Sequence, residues 1–190
     1  LKIAFIDNFD SFTFNLIHYI KNTGIEVELF HNHELFKNQA KILNANAVII
    51  GPGPKTPTEA GELMQFLEIL VSRKFPILGI CLGQQALGQF FGMNLKLANL
   101  PMHGKTSFVE HAEGNLFLNL ENPMKVGRYH SLVVEMTENS TEIEPIAFCN
   151  GEIMAIQHVH LPIFGVQFHP ESVLTPEGQT LIQNWVNLLG

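Results

Sequence analysis

The sequence is short of basic residues, long apolar runs and cysteine, and each shortage excludes something. Lysine and arginine number 11 against 18 aspartates and glutamates, for a formal net charge of -7. A surface with no basic run cannot neutralise a phosphate backbone, so nucleic-acid binding is not expected. No apolar stretch approaches the roughly 20 residues of a membrane-crossing helix, so no membrane association is expected. Cysteine occurs twice, as Cys81 and Cys149. At most one disulfide is possible and nothing suggests export, so a reduced, cytoplasmic setting is expected, in which a thiol stays free to react. A C-x-x-C pair is missing, which argues against zinc. The Gly-Lys-Ser/Thr ending of a phosphate-binding P-loop is missing too. His31 with His33, and His158 with His160, read as exposed strand-end or loop histidines. Leu1 to Asp7 reads as a first strand and not as a leader peptide.

What is present suits one globular domain over residues 1–190, with 46% hydrophobic and 15% charged residues. The first half alternates strand and helix patterns. Strands are expected at Leu1 to Ile6, Glu26 to Phe30, Ala47 to Ile50 and Pro76 to Ile80. A helix capped by Asp10 or Ser11 should run to about Asn22, with Gly24 as its stop. Thr56, Pro57 and Glu59 carry the signature of a capping box, with Leu63, Phe66, Leu67 and Leu70 on one face of the helix that follows. Another helix should span Leu82 to Phe91. The second half is richer in strands: Gly104 to Val109, Val126 to Tyr129, Leu132 to Glu135, Ile146 to Cys149, Ile153 to Gln157 and Ile163 to Phe168. Thr175 and Pro176 should open a final helix with Leu181, Ile182, Trp185 and Leu188 facing inward. The expected class is α/β: a mostly parallel sheet, helices on both faces and antiparallel strands added late. Active sites of such sheets lie beyond the carboxyl ends of the strands.

The strongest chemical signal is Gly79-Ile80-Cys81-Leu82-Gly83, placed between a buried strand and a helix. It is the Gly-x-nucleophile-x-Gly pattern of a nucleophile elbow, with Cys81 as the nucleophile. The helix starting at Leu82 directs free N–H groups at the sulfur and favours the thiolate. Gln85, one turn on, faces the same side and can pair with an amino-acid substrate; Gln84 and Gln89 read as exposed helix positions. His169 follows a strand, and Pro170 biases it to an extended backbone. Glu171 can then fix its tautomer, as the third group of a nucleophile–base–acid set does. Gly51-Pro52-Gly53-Pro54 forms a rigid loop after another strand. The N–H groups of Gly53 and Leu82 are the candidate oxyanion donors. Ser131 and Leu132 are candidate backbone contacts for the substrate's amino-acid end, and His130 reads as structural.

In order and spacing, Gly51-Pro52-Gly53, the Cys81 elbow and His169-Pro170-Glu171 resemble the class I (triad-type) glutamine amidotransferases. The stretches Asp7 to Leu16, Met102 to Ser107 and Arg128 to Glu135 resemble the chorismate-dependent branch: component II of anthranilate synthase and of aminodeoxychorismate (p-aminobenzoate) synthase. The resemblance covers essentially the whole chain. It implies a flavodoxin-like domain that hydrolyses L-glutamine through Cys81, His169 and Glu171. Gly51, Pro52, Gly53, Leu82, Gln85, Ser131 and Leu132 are the implied glutamine and oxyanion contacts. It also implies delivery of ammonia to a chorismate-binding component I, with no cofactor in this chain and any Mg2+ belonging to that partner. The Arg128 to Glu135 segment leans toward the p-aminobenzoate route, with anthranilate synthase or a component shared by both as the alternative. A non-catalytic regulatory role is the alternative of another class. Gln84 is a departure, since many relatives carry histidine there.

Overall fold

In a computed structural model describing residues 1–190, a nine-stranded sheet runs through the molecule. Its strands are β1 (Lys2–Asp7), β2 (Glu26–His31), β3 (Ala47–Ile50), β4 (Ile77–Ile80), β6 (Lys105–His111), β7 (Met124–Arg128), β9 (Ile143–Cys149), β10 (Glu152–His158) and β11 (Ile163–Val166). The order is β2-β1-β3-β4-β11-β10-β9-β6-β7. The first five are mutually parallel, and antiparallel pairing begins at β11 with β10. Two further strands, β5 (Asn94–Leu97) and β8 (Leu132–Glu135), form a separate antiparallel ribbon.

Period-two burial along the strands divides the core between the two faces of the sheet. From β1, Ile3 and Phe5 join a cluster with Leu16, Ile20, Leu181, Ile182 and Trp185. Those residues come from α1 (Thr13–Lys21) and α5 (Gly178–Asn187). Ala4 and Ile6 point the other way, into a cluster with Leu63, Phe66, Leu67, Ala86 and Leu87. These belong to α3 (Leu63–Ser72) and α4 (Leu82–Phe90). A short α2 (Gln39–Ile42) precedes β3. No helix is long and apolar enough to cross a membrane.

The mixed α/β sheet matches the expected class, and several element boundaries differ. The helix expected from Pro57 breaks in two: a 3-10 turn over Pro57–Glu59, then α3 from Leu63. Gly61 adopts φ +58 between them, where a Cβ would stand 2.7 Å from the Asn32 carbonyl oxygen. The Thr56 hydroxyl bonds the Glu59 carboxylate at 2.8 Å instead of capping the backbone. α1 starts at Thr13, after Asp10 Oδ1 accepts the Phe12 N–H at 2.8 Å. The last helix starts at Gly178 and leaves Leu188 exposed. β5 and α2 lacked a distinct sequence pattern; β5 has no buried face to create one.

Candidate active site

The carboxyl ends of β1, β3, β4 and β11 meet on one edge of the sheet. Cys81 joins β4 to α4 in a left-handed conformation, φ 53 and ψ -104. Such a backbone is costly for a residue with a side chain and persists only where its surroundings enforce it. The flanking glycines do the enforcing. Neither has the positive φ; both are required by close approach. A Cβ on Gly79 would stand 2.5 Å from the carbonyl of Gly83, and one on Gly83 would stand 2.2 Å from the Ile50 carbonyl oxygen. The helix therefore presses against β3 and β4, and the turn presents the Cys81 side chain to a cavity.

That cavity measures about 180 Å3 and is lined by Gly53, Pro54, Lys55, Cys81, Gln85, Tyr129, His130, Ser131 and Leu132. It is smaller than the roughly 300–1,000 Å3 of drug-sized sites and suits one amino acid. Gly53, Gln85, Ser131 and Leu132 thus line one cavity with Cys81. Gly51 and Pro52 stand behind the wall: both are buried, and the Gly51 carbonyl accepts from Asn8 Nδ2 at 2.9 Å. Leu82 buries its side chain. Its N–H belongs to the first turn of α4, where N–H groups have no intrahelical acceptor.

His169 is buried beside the cavity, and its Nδ1 lies 2.6 Å from Glu171 Oε1. The Tyr129 and Phe12 rings pack on the imidazole at 5.1 and 5.2 Å between centroids. Its Nε2 is buried with no hydrogen-bond partner. Burial pushes the His169 pKa down, but the Cys81 sulfur and the Glu171 carboxylate outweigh it and raise it well above 6.5. Thr175 anchors the segment: its hydroxyl donates to the His169 carbonyl at 2.7 Å and accepts from the Gly127 N–H at 2.9 Å.

A cysteine on a strained elbow, an imidazole influenced by its sulfur, and a carboxylate behind the imidazole form an arrangement suited to acyl transfer. The class I glutamine amidotransferase profile matches residues 4–188. The chain belongs to this family. Among its relatives, anthranilate synthase component 2 of Pseudomonas putida is 42% identical over 196 aligned positions, covering 100% of this chain and 98% of that protein. Aminodeoxychorismate synthase component 2 of Serratia marcescens is 43% identical over 190, covering 97% and 99%. A solved structure from Thermoplasma acidophilum, assigned as part of a GMP synthase, shares the fold, with a TM-score of 0.88 at 21% identity, covering 100% of this chain and 94% of that one.

Other residues of the amidotransferase shape this edge, and of these Asn32 carried no sequence signal. Asn8 holds the Gly51 loop and is itself held by Asn32, whose Nδ2 donates to Asn8 Oδ1 at 3.0 Å. Asp7 Oδ1 accepts from the Phe9 N–H and the Thr13 hydroxyl. The first part of the Asp7 to Leu16 signature, Asp7 to Thr13, therefore serves as scaffolding for the loops around the cavity. Gly53 allows contact with Asn8, whose Cβ would lie 2.5 Å from a Cβ at that position. His130 is structural, as expected. Arg128 Nε donates to its Nε2 at 2.9 Å, and burial together with the Arg128 charge lowers its pKa to about 4.

Two expectations are corrected. Gln84 is completely buried instead of exposed, because α4 packs that side against β11, with Gly165 leaving room for it. Gln89 is half-buried. His158 is buried as well: its ring packs on Phe91, and its Nδ1 accepts from the His160 and Leu161 N–H groups at 3.0 Å. His31 and His33 stack with the exposed Phe9 ring.

Proposed function

We propose that this amidotransferase is the glutamine-hydrolysing component of a chorismate-using synthase, with Cys81 as nucleophile, His169 as proton carrier and Glu171 as the carboxylate that orients it. The observation that carries this reading is the pairing of His169 Nδ1 with Glu171, which leaves Nε2 unengaged beside the Cys81 sulfur. The thiolate attacks the carboxamide carbon of glutamine, and the Gly53 and Leu82 N–H groups receive the oxyanion. His169 gives its proton to the amide nitrogen, the C–N bond breaks, and ammonia leaves a thioester on Cys81. His169 then takes a proton from water, whose oxygen displaces the sulfur to give glutamate. Gln85, Ser131 and Leu132 are read as contacts for the amino-acid end of the substrate.

Ammonia released to bulk water is protonated and lost as a nucleophile, so a synthase partner must receive it directly. The loops near Asp10, Pro54 and His103 are read as the coupling surface; of these, Pro54 lines the cavity. No cofactor is assigned to this chain, and any Mg2+ requirement is assigned to the partner. The primary reading of the pathway is aminodeoxychorismate synthase, in line with the Serratia relative. The Pseudomonas relative favours anthranilate synthase as the second reading.

The test is to purify the chain with its native partner, supply chorismate and glutamine, and identify the aromatic product. Cys81→Ser should abolish glutamine-dependent synthesis while ammonium salts still support it. Glutamine-dependent synthesis at near-normal rate in that variant overturns the proposal.

A further inference from the structure

A chain of hydrogen bonds with a forced direction ends at the nucleophile. It begins at Arg128, whose side chain is 1% exposed and pairs with Glu152 at 3.0 Å. Arg128 Nε can only donate, so His130 Nε2, 2.9 Å away, carries no hydrogen. The ring proton then lies on Nδ1, which donates to the Leu132 carbonyl at 3.0 Å. That carbonyl can only accept, and its other partner at 3.1 Å is Gln85 Nε2. The same Nε2 lies 3.1 Å from Gln167 Oε1. Turning either amide over would set oxygen against oxygen or nitrogen against nitrogen. The far end of the Gln167 amide is therefore its nitrogen, and this nitrogen lies 3.6 Å from Cys81 Sγ, a normal length for a bond to sulfur.

We propose that Gln167 is a positioning residue for the nucleophile: its side-chain amide, held by Gln85, aims an N–H at the Cys81 sulfur. The residue is fully buried, and its backbone N–H is tied to the Met154 carbonyl at 2.8 Å, so the amide has little freedom to turn away. An N–H directed at sulfur favours its charged, reactive form and restrains the side chain on its strained backbone. Gln85 and Leu132 also line the cavity, so the wall that meets the substrate and the sulfur that attacks it share one hydrogen-bond chain. This role rests on the reading of Cys81 as the nucleophile. It gives Gln85 a second task beside substrate contact: both hydrogens of its Nε2 are engaged, leaving Oε1 as its free polar atom.

The experiment follows iodoacetamide alkylation of Cys81 over pH, together with steady-state glutamine hydrolysis, in the complex with the synthase partner. Gln167→Leu should slow alkylation at neutral pH by about tenfold, because the sulfur loses its side-chain N–H donor. Its kcat should fall by a similar factor while KM stays within about twofold, because the cavity lining is intact. Gln85→Leu should slow alkylation part of the way and raise KM as well. A folded Gln167→Leu protein with the wild-type alkylation profile overturns the proposal. Should that variant not fold, an unchanged profile in Gln85→Leu overturns it. Wild-type protein whose Cys81 fails to alkylate and which turns over no glutamine contradicts the nucleophile reading itself, a separate failure.

Discussion

Glu171 accepts a hydrogen bond from His169 Nδ1 at 2.6 Å, and both side chains are buried. Against the effect of burial, this carboxylate and the Cys81 sulfur hold the imidazole charged above its ordinary range. His130 is moved the other way, to about 4. Nitrogen-15 NMR of the imidazoles should therefore find His169 charged and His130 neutral at neutral pH. Glu171→Gln should lower the His169 midpoint and reduce kcat on the order of a hundredfold. The stability that the His169 charge contributes is fully present below the unfolded value near 6.5 and fades as pH rises through the raised folded value. Glu171→Gln should weaken that fading. A His169 midpoint at or below that of His130 contradicts this picture.

Thr175 should prove a support for His169. Thr175→Val keeps the side-chain shape but strands the buried Gly127 N–H and frees the His169 carbonyl. Urea unfolding should show a loss of about 1–3 kcal/mol. Glutamine turnover should fall further than stability alone explains, measured at a temperature where the variant is folded.

Gly83→Ala tests the packing of the elbow. The added methyl meets the Ile50 carbonyl oxygen at 2.2 Å, so helix and strand must separate. The expected cost is about 1–3 kcal/mol of stability, read by thermal or urea unfolding. Cys81 reactivity should drop as well, because the turn that presents it loosens.

Arg128→Met strands a carboxylate: Glu152 keeps only the Asn99 N–H, at 2.6 Å. A loss of about 3–5 kcal/mol is expected. Adding Glu152→Gln to Arg128→Met should restore a large part of it, since the amide oxygen can still accept from Asn99. A double variant no more stable than the single one would argue against this account of the ion pair.

The parallel half of the sheet was legible because β1, β3 and β4 are short apolar runs set between helices with clear periodicity. Cys81, His169 and Glu171 were legible for a related reason: each sits in a local pattern of glycine or proline that reports a turn at a strand end. The parts that were not legible depend on contacts far apart in sequence. Nothing local tells that Thr175 reaches back to Gly127, that Asn32 holds Asn8, or that Gln84 lies against Gly165. The Thr56 to Glu59 signature was read as a helix start; tertiary contact of Gly61 with the Asn32 carbonyl overrode that local preference.

The central claim is that the Cys81 sulfur is the nucleophile of glutamine hydrolysis, and chemical capture tests it most directly. The chain is incubated with a chloroketone analogue of glutamine, digested, and searched by mass spectrometry for the adduct. One adduct on Cys81, prevented by excess glutamine and absent from His169→Ala at the same pH, is the predicted result. Equal labelling of Cys149, or labelling of Cys81 that glutamine does not prevent, contradicts the account.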